Sequence, residues 1–471
     1  MGLMDKLHDE KAQQGAAGSP AGTGQVAESK PFKQDMYMVD ALDPVLMEAV
    51  RAVSAKTRER LMAALGSEST VDPDDAMHVA RDVAARFSSV KLLDAATRER
   101  VAQEAFADLF LLGPLEPLLA DESVTEIMVN APDEIYIEQR GKLKKTNVVL
   151  RDEAQAMAIV SRIAADDDKH CDKAMPMCNC TLHRPGASFD GARVNLTVPP
   201  VAVDHAGIDI RKFRTDVVTP EALLAGGEFD RRCMLIQSAF VRARMNIIIV
   251  GGTGSGKTTL LNALSCFIPD NERIITVEDT VELKLDKEHV YRMETRQKTS
   301  EGTGEITIRD LVINTLRQRP DRIIVGECRG EEAFDMLQAM STGHDGSLTT
   351  IHANNARHAL SRLQMMIQMA ESAGNMSPVD IMKVITDAVD IIVHVKRWPN
   401  GERHVDEIVE VQGCNDETGV PTLEPIVLFD EESGKWLPTG GRLTPAHRAR
   451  FESNGIAIDE GWWDQWRSFE P

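Results

Sequence analysis

The sequence predicts an α/β fold: a C-terminal domain built on parallel strands, preceded by a smaller α/β domain and a helical bundle. Three observations carry this. The apolar run Ile247-Ile248-Ile249-Val250 enters a glycine loop and leaves it as Thr259-Leu260-Leu261-Asn262-Ala263-Leu264, a strand–loop–helix order. Two later apolar runs, Arg273–Val277 and Arg322–Gly326, end on acidic residues, as strands do at the ligand-binding edge of an open parallel sheet. Upstream of residue 111 the apolar residues recur at helical spacing.

Taken in order, residues 1–40 are rich in Gly, Ala, Gln, Ser and Lys and read as a disordered tail. Residues 41–110 read as a helical bundle, with Leu46, Val50, Val53 and Leu61 on one stripe and Val79, Val83, Phe87 and Val90 on another. Residues 111–214 read as the N-terminal α/β domain. Its strands are Val124–Val129 and Glu134–Ile137, with Asn130-Ala131-Pro132-Asp133 as the turn, then Val194–Val198, stopped by Pro199-Pro200, and Ile208–Phe213. Residues 152–166 are helical by composition. A linker at 215–229 leads to the main domain at 230–430, and 431–471 form a C-terminal extension.

Composition sets outer bounds. The chain has 471 residues, 42% of them hydrophobic, enough for several packed cores. A net charge of −21 argues against sequence-independent binding to nucleic acid, which is driven by basic residues. No stretch approaches the ~20 apolar residues that span a bilayer, and the N-terminus has no apolar signal core, so a cytosolic protein is expected. Seven cysteines do not read as a disulfide framework.

The octapeptide Gly251-Gly252-Thr253-Gly254-Ser255-Gly256-Lys257-Thr258 is a phosphate cradle, continued by Thr259. Glycines let consecutive N–H groups converge on phosphate oxygens, and the helix that follows points its positive end at the same anion. Lys257 is placed to reach the β- and γ-phosphates, and the Thr258 hydroxyl to hold Mg²⁺. Glu278-Asp279-Thr280-Val281-Glu282 follows the second strand, where Glu278 can act on water and Glu282 can hold Mg²⁺. Glu327 ends the third strand, in position to polarise an attacking water. The segment Thr342–Asn354 brackets a strand between His344 and His352. Its polar groups suit a sensor of the γ-phosphate; the eight-residue spacing fits no usual zinc pair.

This ordered set resembles the secretion-superfamily ATPases that drive type II secretion, type IV pili, type IV secretion and archaeal flagella. Within them it is most similar to the CpaF-type ATPase of Flp/Tad pilus assembly. The stretches that carry the resemblance, besides those above, are Leu111–Leu119, Val124–Asn130, Asp190-Gly191-Ala192-Arg193-Val194-Asn195, Ile210-Arg211-Lys212-Phe213 and Arg319–Gly330, within a span of about residues 41–430. The resemblance implies a RecA-like P-loop ATPase domain behind a smaller PAS-like α/β domain. It also implies ATP and Mg²⁺ as ligands, a homo-hexamer, and an inner-membrane platform protein as partner, with the ring peripheral to the cytoplasmic membrane. Arg193 and Arg211 match the arginines that the N-terminal domain offers to the phosphates, and His344 and His352 match the histidine box. A type IV secretion or conjugation ATPase is the neighbouring reading within the superfamily. A nucleotide-gated ring scaffold with little hydrolysis is the reading outside it.

The chain departs from the family at His170–His183, where Cys171, Cys178, Cys180 and two histidines cluster ahead of an apparent insertion, His183–Phe189. These are zinc-ligand types, yet Cys-x-Cys is tighter than a usual knuckle, and cysteine also serves as a small core residue. The tail Trp462-Trp463-Asp464-Gln465-Trp466 is apolar enough to dock on the subunit or on a partner.

Overall fold

The computed structural model of the chain describes residues 36–40, 44–65, 72–87, 90, 92–183, 191–213, 217–298, 303–398, 400–439 and 441–456. Residues 1–35, most of the apparent insertion and the Trp462–Trp466 tail lie outside the described residues.

Three helices, Pro44–Leu65, Pro73–Arg86 and Ala95–Phe110, pack as a bundle. Alanines dominate the contact, with Ala80, Ala84, Ala102 and Ala105 buried beside Val53, Val83 and Val101. Small side chains let the helices approach closely. Asp72 and Asp94 cap the second and third helices by accepting from free N–H groups of the first turn.

The N-terminal domain is a six-stranded antiparallel sheet: β1 (Val124–Ala131), β2 (Glu134–Gln139), β3 (Lys142–Lys145), β4 (Met177–Leu182), β5 (Ala192–Thr197) and β6 (Gly207–Lys212), in the order β3-β2-β1-β6-β5-β4. Alternation decides its faces. Ile127, Val129, Val194, Leu196, Ile208 and Ile210 point to the helix Glu153–Asp166, which buries Ile159, Val160 and Ile163 against them. The residues between them in sequence face the other way, away from that helix. Tyr37 pairs with Thr146 and hydrogen-bonds Asp121, while Val39 N–H donates to Asn147 at 2.7 Å. Residues 36–40 are therefore docked on this domain, not part of a disordered tail.

The main domain holds a nine-stranded sheet: β7 (Ile247–Gly251), β8 (Ile274–Glu278), β9 (Val290–Glu294), β10 (Arg322–Val325), β11 (Leu348–His352), β12 (Ile391–Arg397), β13 (Arg403–Cys414), β14 (Pro421–Asp430) and β15 (Lys435–Pro438). Their order is β15-β14-β13-β12-β7-β11-β10-β8-β9, parallel from β12 to β9 and antiparallel from β12 to β15. Both faces of the parallel part are covered, which is why its strands are continuous apolar runs. Ile247 and Ile249 pack toward the helices Arg231–Arg242 and Lys257–Ser265. Ile248 and Val250 pack toward the helices Ile308–Thr315, Glu332–Ser341, Ala356–Met369 and Pro378–Ala388. Each such side chain contributes about 1.5–3 kcal/mol by leaving water.

Two expected boundaries differ. The sheet continues past residue 430 into β15, where Trp436 is buried, and the helix Pro445–Ser453 packs Phe451 on Phe240. The extension is thus part of the domain up to at least Ile456. Within the expected linker, Thr219 caps a short helix, Pro220–Ala225, whose Leu223 joins the same core.

Candidate nucleotide site

β7 delivers the glycine loop to the end of the sheet, and Lys257 opens the helix behind it. Gly254 and Gly256 have φ of +68° and +97°, a region side chains rarely enter. A Cβ on Gly251 would stand 2.3 Å from the Val395 carbonyl; the neighbouring strand leaves room only for glycine. Lys257 Nζ donates to the Gly252 carbonyl at 3.0 Å and lies 3.4 Å from Nε2 of His352. Burial pushes the Lys257 ammonium down to about 8, against the attraction of Glu327.

The parallel register brings the other groups to the same edge. His352 sits opposite Gly251, and Val325 opposite both Val277 and Thr349. Glu327 and Glu278 therefore emerge beside the loop. Oε2 of Glu327 accepts from Arg329 Nη2 at 2.6 Å, and His352 Nε2 is 3.0 Å from Oε1. That second approach is a close contact without hydrogen-bond alignment, since Oε1 has no hydrogen-bond partner among the described residues. Burial, and then the Lys257 charge, lower the His352 imidazole pKa. Glu278 is almost wholly buried. Its Oε2 accepts from the N–H groups of Glu282 and Leu283 at 2.8 Å each, and its Oε1 is buried with no hydrogen-bond partner among the described residues. Burial raises the carboxyl to about 7, against those two hydrogen bonds.

Arg193 comes from the N-terminal domain and lines one cleft with Thr258, Glu278, Asp279, Thr280, Glu282, Gly326, Glu327 and Arg329. Strand pairing explains its direction. Thr181, Arg193, Arg211, Glu126 and Glu138 stand opposite one another across β4, β5, β6, β1 and β2. They form one polar row on the face turned away from that domain's core. Arg211 Nε lies 3.5 Å from Glu126 Oε1, with the side chain largely exposed, and its charge also acts against the Lys257 ammonium.

His344 does not reach the loop. It precedes β11, near the Ala339 carbonyl at 3.3 Å, whereas His352 ends that strand. The five residues of β11, at about 3.3 Å each, carry the chain through the sheet between them. The two histidines occupy opposite edges, and the neighbour of His344, Asp345, pairs with Arg450 of the C-terminal helix at 3.3 Å.

Other groups enter that the motif reading gave no role. Arg329 bridges Glu327 and Asp279, at 2.6 and 3.3 Å; its signal was proximity to Glu327. Arg397 and Arg403 flank the glycine loop from β12 and β13 with no local signature. The cysteine cluster is core: Cys171, just ahead of β4, and Cys178 and Cys180 on it are buried in the N-terminal domain's core, with Cys178 Sγ 3.4 Å from Cys180 Sγ. Among the described residues no group of three His, Cys, Asp or Glu side chains is arranged to hold a metal.

Residues 111–419 match the family described as type II/IV secretion system protein. The chain belongs to that family. In this secretion-ATPase family the nine-stranded sheet is the RecA-like domain. A putative conjugal transfer protein of Mycobacterium tuberculosis (strain CDC 1551 / Oshkosh) is 34% identical over 296 residues, covering 63% of this chain and 83% of the relative. The type IV secretion system protein VirB11 of Bartonella quintana is 31% identical over 332 residues, covering 63% and 91%. The conjugal transfer protein TrbB of Rhizobium radiobacter is 33% identical over 299 residues, covering 63% and 86%. No helix among the described residues is long and apolar enough to cross a membrane.

Proposed function

We propose that this secretion-family protein is an ATP-hydrolysing ring motor of the type IV secretion or conjugation kind. The observation that carries the reading is one cleft shared by Thr258 of the phosphate loop, the acidic Glu278 and Glu327, and Arg193 from the other domain. Lys257 and the loop N–H groups bind the β- and γ-phosphates. The residues fit Mg²⁺: the Thr258 hydroxyl, the Glu282 carboxylate and the unpartnered Oε1 of Glu278 are hard oxygen donors beside one another. Bound there, the ion would neutralise charge on the phosphates. Glu327 orients the attacking water and takes its proton. His352, in contact with both Lys257 and Glu327, reports the γ-phosphate to the strand behind it.

Arg193 and Arg211 stabilise charge on the transferring phosphoryl group when the N-terminal domain closes. Closure and reopening of that domain is the mechanical step. Six copies in a ring would pass it to a membrane platform protein, with the ring lying on the inner face of the cytoplasmic membrane. The relatives named above support conjugal transfer or type IV secretion as the setting. A second reading, Flp/Tad pilus assembly, draws on the three-helix bundle at 44–110, which precedes the matched span 111–419. Gene neighbourhood separates them: a relaxase for the first, a prepilin with its peptidase for the second.

The motor reading is tested by Mg²⁺-dependent ATP hydrolysis in the full chain. Turnover collapses in Lys257→Ala and Glu327→Gln. Wild-type turnover no faster than that of Glu327→Gln would leave a nucleotide-gated scaffold as the better account.

A further inference from the structure

The phosphate loop is held from its second side by two arginines. β12 runs parallel to β7 with Val395 opposite Gly251, so Arg397, two residues on, extends past the end of β7 beside the loop. The hairpin then sets Arg403 opposite Arg397. Both meet Gly254. Arg403 donates from Nε to the Gly254 carbonyl at 3.0 Å, and Arg397 Nη1 stands 3.3 Å from where a Gly254 Cβ would be. Arg397 Nη2 also donates to the carbonyl of Gly141 at 3.4 Å. Gly141 lies in the turn between β2 and β3, so one side chain touches both the phosphate loop and the N-terminal domain.

The Arg403 bond fixes a direction. In a trans peptide the C=O and N–H point to opposite sides, so holding the Gly254 carbonyl outward turns the Ser255 N–H into the loop. There it meets the Gly252 carbonyl at 3.4 Å, the oxygen that also accepts from Lys257 at 3.0 Å. Two donors suited to a phosphate oxygen thus already converge on one point. The hairpin cannot drift from this arrangement, because the Val395 carbonyl packs directly on Gly251.

We propose that Arg397 and Arg403 form a strap that aims the Ser255 N–H at bound phosphate and ties that aim to the position of the β2–β3 turn. The proposal rests on the nucleotide reading of the loop. Both are positioning residues acting through the loop backbone. Arg403 sets affinity, and Arg397 transmits movement of the N-terminal domain to the loop from the side opposite Arg193.

The test is equilibrium titration of the full chain with a fluorescent ADP analogue, with turnover measured separately. Arg403→Ala raises the Kd about tenfold, as loss of a hydrogen bond from a charged group predicts. Arg403→Lys, which keeps a donor, recovers most of that loss. Arg397→Ala holds the Kd within about twofold but lowers kcat about tenfold, the cost of a slightly misplaced reacting group. If Arg403→Ala melts early, Arg403→Met, which keeps the length of the side chain and has no donor, carries the same comparison. A wild type that binds no nucleotide overturns the reading beneath the strap. A wild type that binds, with Arg403 variants binding equally well and Arg397→Ala turning over normally, overturns the strap itself.

Discussion

Nucleotide binding should draw a proton from solvent at mildly alkaline pH, and Lys257 sets the amount. Its ammonium is pushed down to about 8 by burial. A phosphate placed against Nζ returns it to its usual range or above, because an opposite charge at contact favours the charged form. At pH 8.5 a group of pKa 8 is about three-quarters neutral, so binding takes up about 0.75 proton. The same linkage weakens binding about tenfold between pH 7 and pH 9, or about 1.4 kcal/mol. The pH is chosen to keep Glu278 out of the reckoning, since a carboxyl at about 7 is already ionised at 8.5. The assay is isothermal titration of a non-hydrolysable ATP analogue in two buffers of different ionisation enthalpy. The difference in measured heat gives the proton count, and His352→Ala removes the imidazole in contact with Lys257 as a second source. Equal heats in the two buffers, with binding intact, would refute the claim that a buried, largely neutral Lys257 receives the phosphate at this pH.

Glu126→Gln frees Arg211 from its carboxylate partner. An exposed pair of this kind contributes at most about 1 kcal/mol to stability, so melting is unchanged, while the KM for ATP falls about twofold to threefold as Arg211 becomes available to the nucleotide; an unchanged KM would argue that Arg211 does not meet it. His447 lies between two buried carboxylates, with Nε2 3.0 Å from Asp390 Oδ1 and Nδ1 against Glu410, which raise it to about 9 against the effect of burial. A raised folded pKa contributes stability fully below the unfolded value near 6.5 and loses it as pH rises through 9, to a limit of about 3 kcal/mol. His447→Ala should therefore lower the urea midpoint at pH 6.5 far more than at pH 9.5, and an equal loss at both would refute the charged-histidine account.

The parts of the site that are local in sequence were legible in it. Phosphate binding by consecutive backbone N–H groups requires neighbouring residues, so Gly251–Thr258 could be read directly, and a strand ending in Glu327 is nearly as local. Arg193 and Arg211 entered through family resemblance; the pairing of β5 with β6 supplies the physical reason that they stand side by side. His344 misled because a motif gives spacing without direction, and the β11 strand between the histidines sends them to opposite edges. Arg397 and Arg403 carried no signal, because they meet the loop only after β12 has come to lie beside β7, some 140 residues earlier in the chain. The boundary at 430 failed for a related reason. The short β15 strand is recognisable by its antiparallel pairing with β14, and four residues around Trp436 do not announce that alone.

The central claim is that the nucleotide site is composite, with its transition-state charge answered from the N-terminal domain. Single-turnover hydrolysis by full-length Arg193→Ala tests it most directly, with ATP-analogue binding measured alongside. The account predicts binding within about threefold of wild type and hydrolysis slowed about a hundredfold or more. Hydrolysis at the wild-type rate would contradict it and leave the phosphate loop, Glu278 and Glu327 as a site complete within one domain.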